Sequence, residues 1–316
     1  MSAAGGAAPA GRDDGDPGLF GPGSVTWRVH ADPVAGVAGL RALLLQALHP
    51  LAMAGVDQHS RFRADPWGRL TTTAAFVATT TFGPTDEALA LAARVRAVHR
   101  RVRGTDPVTG EEYDASDPRL LLWVHCCLVD SFLTTALRAG APLSGADADE
   151  YVREQVRAAE LVGVPAAAAP SSRAELEQVL ASYRPELRSS AAARDVVARV
   201  VAPPMPLLVA LATPARPLWA SMAGLAVATL PPHALRLYAV PRPLLLAGAA
   251  DAATSAALRA VRSGVGGLQL AVPALREPPP LRETRERLAE ADRRARRRAA
   301  RRTAEGQPAR PTPRIA

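Results

Sequence analysis

The apolar residues of this chain are almost entirely alanine, leucine and valine, and its only isoleucine is Ile315. β-Sheets favour β-branched and aromatic residues, whereas alanine and leucine favour helices. Aromatic residues make up only 4% of the 316 residues, while 48% are hydrophobic, which is enough for a large core. The composition therefore predicts an all-α fold and excludes a chain that is disordered throughout.

Changes in composition divide the chain into three parts. Residues 1–22 are rich in Gly, Ala, Asp and Pro and are predicted to be a disordered segment, followed by a single helical domain over 23–275. The tail, 276–316, is charged and is predicted to be partly helical or disordered. Residues 281–316 hold twelve arginines and five acidic residues, so most of the net charge of +8 lies there. No nucleic-acid partner is expected for the nearly neutral body, and the partner of the basic tail is unknown.

The cysteines and the apolar segments bear on the compartment. Cys126 and Cys127 are adjacent and there is no other cysteine, so nothing indicates a disulfide framework. The N-terminal residues contain acids where a signal peptide has an apolar stretch, and prolines and arginines interrupt the apolar region 195–230. These features predict a cytoplasmic protein without a transmembrane helix, and peripheral membrane contact remains open.

Prolines and capping residues mark the first helices. One helix follows Asp32 and is bent or broken near His49 by Pro50. Asp65 is a good N-cap, and Pro66 is suited to the first position of the helix that begins there.

Further boundaries follow along the chain. Thr85 is predicted to cap a helix over 86–103 that stops at Gly104. A turn-rich loop with a short hairpin around 108–113 comes next, and Ser116 or Asp117 starts a long apolar helix. Later helices are predicted near 147–162, 172–183, 187–201, 215–228, 232–239 and 251–263.

The stretch "RVRAVHRRVRG", residues 94–104, places one histidine among five arginines. On a helix, His99 lies on the apolar stripe with Val95 and Val102, and the arginines, Arg94 among them, occupy the other faces. A buried imidazole needs a partner for each nitrogen. His99 is therefore either a core histidine bonded to a carbonyl or a ligand to a metal.

The preceding helix carries a polar stripe. Its members follow one another at helical spacing: Arg69, Thr72, Thr73, Phe76 and Thr80. If the stripe faces inward, something polar must lie opposite it. If it faces solvent, the threonine hydroxyls bond the preceding turn. The spacing alone does not decide between the two.

Other candidate ligands are more scattered. His125 lies on an apolar helix, and the stretch "HPLAMAGVDQHS" supplies His49, Asp57 and His59. Imidazole and carboxylate suit iron, zinc or manganese, so these four residues are candidates for a non-haem metal site. They lack a compact ligand signature, and the sequence contains no phosphate-binding loop or nucleophile elbow.

Several stretches, taken in order, resemble the MpaB-like oxygenase family, the superfamily of the rubber oxygenase catalytic domain. They are "HPLAMAGVDQHSRFRADPWGRLTTT", "RVRAVHRRVRG", "DPRLLLWVH" and "LPPHALRLY". The resemblance is dense over 25–135 and thinner over 136–240. It implies a globin-like helical fold with additional helices around one b-type haem. It also implies oxidation of an apolar substrate, isoprenoid or lipid-like, with O2.

The resemblance also implies roles for particular residues. His99 matches the histidine that is the axial ligand of the haem iron, and Arg69 and Thr73 match the arginine and threonine on the distal side. Such groups can donate hydrogen bonds to oxygen or to a haem propionate. Thr72 stands where the rubber-cleaving branch has a lysine that can ligate iron, and this chain has no lysine. A lysine-capped closed state is therefore excluded.

Four residues remain weaker candidates: His49, Asp57, His59 and His125. Asp57 is only a spatial guess for the acidic base of rubber cleavage. Two other functions stay open beside the haem oxygenase. One is a non-haem metal enzyme that uses these four residues, and the other is a haem- or ligand-binding module without turnover.

Overall fold

The computed structural model describes residues 16–206, 213–241 and 246–271. It is 69% helical with two short strands, so the all-α prediction is confirmed. Residues 1–15 and 272–316 lie outside the described residues, and so does the charged tail predicted for 276–316. The helices within the described ranges are α1 (Val25–His30), α2 (Ala35–Gln46), α3 (Pro50–His59), α4 (Pro66–Phe82), α5 (Thr85–His99), α6 (Pro118–Arg138), α7 (Gly145–Val162), α8 (Arg173–Ser182), α9 (Ala191–Val201), α10 (Ala215–Ala228), α11 (Pro232–Leu237) and α12 (Ala247–Ala271).

The largest core cluster forms where α2 packs against α6. Leu44 and Leu48 from the α2 side meet Trp123 and Cys127 of α6, and all four are at most 1% exposed. Helices α9, α10 and α12 pack on the same cluster. Burial of such side chains removes apolar surface from water, which is the main favourable term in folding. α6 is therefore the central helix of the domain.

Local signals placed several helix starts correctly. α3 begins at Pro50, and the α2–α3 pair is bent by 104° at this break. Asp65 caps α4 by accepting a hydrogen bond from the Gly68 amide, with Pro66 in the first turn. Asp117 likewise caps α6 through the amide of Arg119. These predictions are confirmed because caps and prolines act within a single turn.

The predicted end of α5 was wrong. The helix stops at His99, and Arg103–Thr105 forms a strand, β1, that pairs antiparallel with β2 (Glu112–Asp114). Gly104 pairs with Tyr113, so the hairpin replaces the last predicted turn of helix. The hairpin itself was expected, and its strands flank the predicted turn. The interstrand pairing joins residues seven to eleven positions apart, which a local capping signal does not reveal.

The N-terminal boundary also needs correction. Residues 16–22 belong to the segment predicted to be disordered, yet Leu19 is only 4% exposed and packs on the alanines of α5. Asp16 accepts hydrogen bonds from the Thr85 amide and hydroxyl, at 2.6 and 2.8 Å. Thr85 therefore does not cap α5, whose N-cap is Pro84 without a side-chain bond. Helix α1 was not predicted at all.

One described helix, α6, is long and apolar enough to cross a membrane, and the bent α2–α3 pair passes the same test if it is counted as one span. In α6, 67% of the apolar window is buried inside the fold. Packing against α2, α7 and α8 is a sufficient reason for the apolar composition of this helix.

Candidate active site

A cavity of about 700 Å³ opens between α3, α4, α5, α6, α9 and the β-hairpin. This volume lies within the range of ligand and cofactor sites in proteins. Apolar side chains make up most of its wall, including Leu43, Leu51, Val95 and Leu120. The polar groups that reach it come from separate parts of the chain, and they include four of the candidate residues that the sequence singled out: His59, Arg69, Thr72 and His99.

His99, the last residue of α5, lines this cavity. Its Nδ1 atom is buried and has no hydrogen-bond partner among the described residues. Burial, and secondarily the nearby charge of Arg69, lower the pKa of His99 below its ordinary value. The imidazole is therefore neutral near pH 7, which is the form that binds a metal. In the part of the chain that the structure describes, no carbonyl bonds Nδ1, so this nitrogen lacks the partner that a core histidine would need.

Only part of the α5 stripe lies in the core. Ala88 and Ala92 are fully buried, whereas Val98, at 58% exposed, lines the cavity with Val95 and His99. The exposed C-terminal part of the stripe is therefore a cavity wall. This position of His99 is consistent with the prediction that its side chain points away from the solvent-exposed, arginine-rich face of α5.

Arg69, on α4, lines the same cavity and donates a hydrogen bond from Nη1 to the hydroxyl of Thr73, at 3.1 Å. Water reaches part of the side chain through the cavity, yet protein surrounds the guanidinium closely enough to lower its pKa by burial. Thr73 does not line the cavity itself, and its contact with the site is the hydrogen bond that it accepts from Arg69.

The inward-facing and the solvent-facing interpretations of the α4 stripe each apply to some of its atoms. The hydroxyls of Thr72 and Thr73 donate to the carbonyls of Gly68 and Arg69, at 2.7 and 2.9 Å, as expected for threonines that bond the preceding turn. Arg69 and Thr72 nevertheless line the cavity. The stripe is therefore exposed to solvent, and part of it is exposed through the cavity.

His59 also lines the cavity, whereas its neighbour Asp57 does not. The Nε2 atom of His59 lies 3.1 Å from the carbonyl oxygen of Arg103. Asp57 forms an ion pair with Arg63 at 2.9 Å. The carboxylate of Asp57 is therefore paired outside the cavity, and this position does not support the spatial guess that it serves as a base there.

His49 and His125 lie away from the cavity. His49 is buried at the α2–α3 corner between the rings of Trp123 and Tyr183, with Nε2 3.5 Å from Glu186. His125 is buried in α6, and burial lowers its pKa to about 4. Within the described ranges, no three His, Cys, Asp or Glu residues are close enough together to hold a metal ion. The proposed non-haem ligands are therefore not gathered.

The sequence analysis missed three arginines that line the cavity: Arg61, Arg94 and Arg199. Arg94 lines the cavity while remaining exposed, so its predicted place on an outer face of α5 is not contradicted. In the sequence, Arg199 is one of the arginines that interrupt an apolar region. Its position three residues after Val196 and one before Val200, both cavity residues, was a usable signal.

Comparison with known proteins identifies the class to which this fold and cavity belong. The family model described as "ER-bound oxygenase mpaB/B'/Rubber oxygenase, catalytic domain" matches residues 27–266. The chain therefore belongs to this family of oxygenase catalytic domains, and the resemblance read from the sequence is confirmed.

Individual relatives add little about function. The chain is 31% identical over 115 residues to an uncharacterised protein of Mycobacterium tuberculosis and to one of Mycobacterium bovis. The matched residues are 36% of this chain and 44% of each relative. The match thus spans less than half the length of these curated relatives. No solved structure matches the chain.

Proposed function

We propose that this protein is a haem b-dependent oxygenase-type oxidoreductase that uses O2 to oxidise an apolar substrate, isoprenoid or lipid-like. The observation that carries the proposal is that His99 and Arg69, the residues matching the family's axial histidine and distal arginine, line one cavity. Membership of an oxygenase catalytic-domain family supports the same reaction class and implies a small-molecule substrate.

The residues present fit a haem. The cavity is large and mainly apolar, and it contains a neutral imidazole whose buried Nδ1 has no partner within the residues that the structure describes. A haem requires an apolar slot and a proximal ligand, usually histidine. In this proposal His99 holds the iron, and a bound haem supplies the iron chemistry for O2.

The protein's own groups have separable tasks in this proposal. Arg69 provides a fixed positive charge and several N–H donors, and Thr73 restricts the orientation of the guanidinium by accepting one of them. The protein fixes the orientation of this donor before a ligand binds, so its interaction with a negatively charged oxygen costs little reorganisation. The apolar wall orients the substrate chain and excludes water from it.

The first test is a visible spectrum of the purified protein, with haem quantified as the pyridine haemochrome. We expect a Soret band and close to one haem per chain, both lost in His99→Ala while circular dichroism stays helical. His59→Ala is the matched control, because His59 lines the same cavity but has a carbonyl within hydrogen-bond distance. Stoichiometric haem in His99→Ala, or loss of haem in His59→Ala alone, would contradict the assignment of the ligand.

Turnover needs its own measurement. Oxygen uptake with a panel of terpenoid and lipid substrates should depend on the haem-loaded protein and disappear in His99→Ala. A haem protein that oxidises nothing in this panel would instead be a binding module. The proposal takes 23–275 as one catalytic domain, and it retains a cytoplasmic location with peripheral membrane contact open.

A further inference from the structure

The cavity carries an excess of positive charge. Four arginines line it, Arg61, Arg69, Arg94 and Arg199, and the acidic residue among its described lining residues is Asp65. The Asp65 carboxylate is used as the N-cap of α4, where it accepts the Gly68 amide at 2.8 Å. Arg61, Arg69 and Arg94 are exposed to solvent, whereas Arg199 is half-buried, so the cost of an unpaired charge beside the apolar wall falls mainly on Arg199. The imbalance points to a negatively charged ligand.

Nearby carboxylates do not neutralise these arginines. In the part of the chain that the structure describes, Asp57 and Asp195 both pair with Arg63, which does not line the cavity. Within the same residues, no ion pair involves Arg61, Arg94 or Arg199. The acidic side chains of this region therefore serve the scaffold, and the cavity arginines remain available.

Arg199 is the most informative of the four. It lies on α9 between two apolar cavity residues, Val196 and Val200, and its Nε atom is buried without a hydrogen-bond partner in the described ranges of the chain. A buried donor of this kind is rare in native proteins and calls for a specific explanation, such as an ion or ligand. A carboxylate is the natural acceptor, because guanidinium and carboxylate match in shape and charge.

We propose that Arg199 is the centre of a carboxylate-binding subsite, and that the substrate is therefore an amphipathic carboxylic acid. The carboxylate would bind Arg199, with Arg61 and Arg94 adding long-range attraction, and the apolar chain would lie along the valine and leucine wall. The inference rests on the proposed function for the cavity being the substrate site, but its test requires neither haem nor turnover. The propionate groups of a haem are carboxylates too, so the experiment must distinguish a substrate carboxylate from a haem propionate.

The test compares two ligands of equal chain length, laurate and 1-dodecanol, by isothermal titration calorimetry on the purified full-length protein. A charge-assisted hydrogen bond should make laurate bind about tenfold tighter or more. Arg199→Gln should abolish most of this preference without changing the affinity for dodecanol, and Arg199→Lys should restore part of it. Arg194→Gln is the matched control, because Arg194 is exposed on the same helix and does not line the cavity.

Equal affinities for the two ligands in the wild type, or an unchanged laurate affinity in Arg199→Gln, would overturn the proposal. If Arg199→Gln is unstable, Arg61→Gln in the loop after α3 provides a second variant, expected to weaken laurate binding by a smaller factor.

Haem content measured on the same samples separates the sources. Haem loss in Arg199→Gln with an intact laurate preference would assign the arginine to a propionate and overturn the substrate assignment. A haem-free wild type that still prefers laurate would refute the proposed oxygenase and support the subsite.

Discussion

The guanidinium of Arg69 donates a hydrogen bond to the hydroxyl of Thr73 one turn further along α4, with 3.1 Å between Nη1 and Oγ1. The same hydroxyl donates to the carbonyl of Arg69, at 2.9 Å. The threonine is thus fixed by the backbone and in turn restricts the arginine. Of the two residues, only Arg69 lines the cavity, so Thr73 is a positioning residue.

Replacing Thr73 by valine should therefore reduce turnover while preserving haem. Thr73→Val keeps the shape of the side chain but removes the acceptor of Arg69, and the loss of one hydrogen bond corresponds to about a fivefold to tenfold lower rate. Oxygen uptake and the haemochrome assay check the two halves of this prediction. Thr71→Val, on the same helix and bonded only to the Trp67 carbonyl, should keep the wild-type rate.

Arg69→Ala should retain haem and lose most of the oxygen-dependent activity. The guanidinium supplies a donor and a charge to the cavity that no small side chain replaces, so we expect a rate about 100-fold lower. Stopped-flow spectroscopy of the haem-loaded protein, together with steady-state oxygen uptake, measures the effect. Unchanged turnover of an identified substrate in this variant would remove Arg69 from the reaction.

The buried ion pair between Arg41 and Asp130 should dominate the stability of the α2–α6 interface. Arg41 is 3% exposed and donates to Asp130 and to Ser131, each at 2.7 Å, and to the Thr229 carbonyl. Arg41→Ala removes the donor from the Asp130 carboxylate, the Ser131 hydroxyl and the Thr229 carbonyl. It should therefore lower the free energy of unfolding by about 3 kcal/mol. Urea denaturation measures this loss.

A surface pair provides the contrast to Arg41. Arg153 pairs with Glu150 one turn away on α7, and its side chain is 64% exposed. Arg153→Ala should cost less than about 1 kcal/mol, because solvent screens such pairs. Equal losses in the two variants would contradict the prediction that the buried pair of Arg41 contributes more to stability than the exposed pair of Arg153.

His125 should make the protein less stable in acid. Burial lowers the pKa of its imidazole from 6.5 to about 4, so below pH 6.5 the unfolded chain binds a proton that the folded chain does not. This stability is fully present above pH 6.5 and is lost as the pH falls towards 4; by pH 5 the loss is about 2 kcal/mol. Urea midpoints at pH 7 and pH 5 should show a correspondingly smaller drop for His125→Leu than for the wild type.

Two glycines should respond in opposite directions to substitution by alanine. Gly163 ends α7 with φ of 108°, a left-handed conformation that is strained for alanine. Gly163→Ala should therefore destabilise the protein by about 1 kcal/mol. Gly224 is exposed inside α10 with open space around its missing side chain, so Gly224→Ala should stabilise by about 0.5–1 kcal/mol. Thermal unfolding of both variants tests the pair.

The sequence by itself determined the all-α class and the helix starts at Pro50, Pro66 and Pro118. The reason is that composition, caps and proline act within a few residues. The resemblance of its motifs also selected His99 and Arg69, which the structure brings to one cavity. These features depend on local order along the chain, so they could be read before any contact was known.

Only the tertiary structure decided the remaining features. α5 ends at His99 because the residues that follow form β1 and pair with β2, seven to eleven positions further along the chain. Residues 16–22 pack on the body because Leu19 and Asp16 contact α5. The positions of Arg94 and Arg199 in the cavity wall depend on which helices pack around α5 and α9. A helix face is inward only relative to its neighbours, and periodicity within one helix does not specify those neighbours.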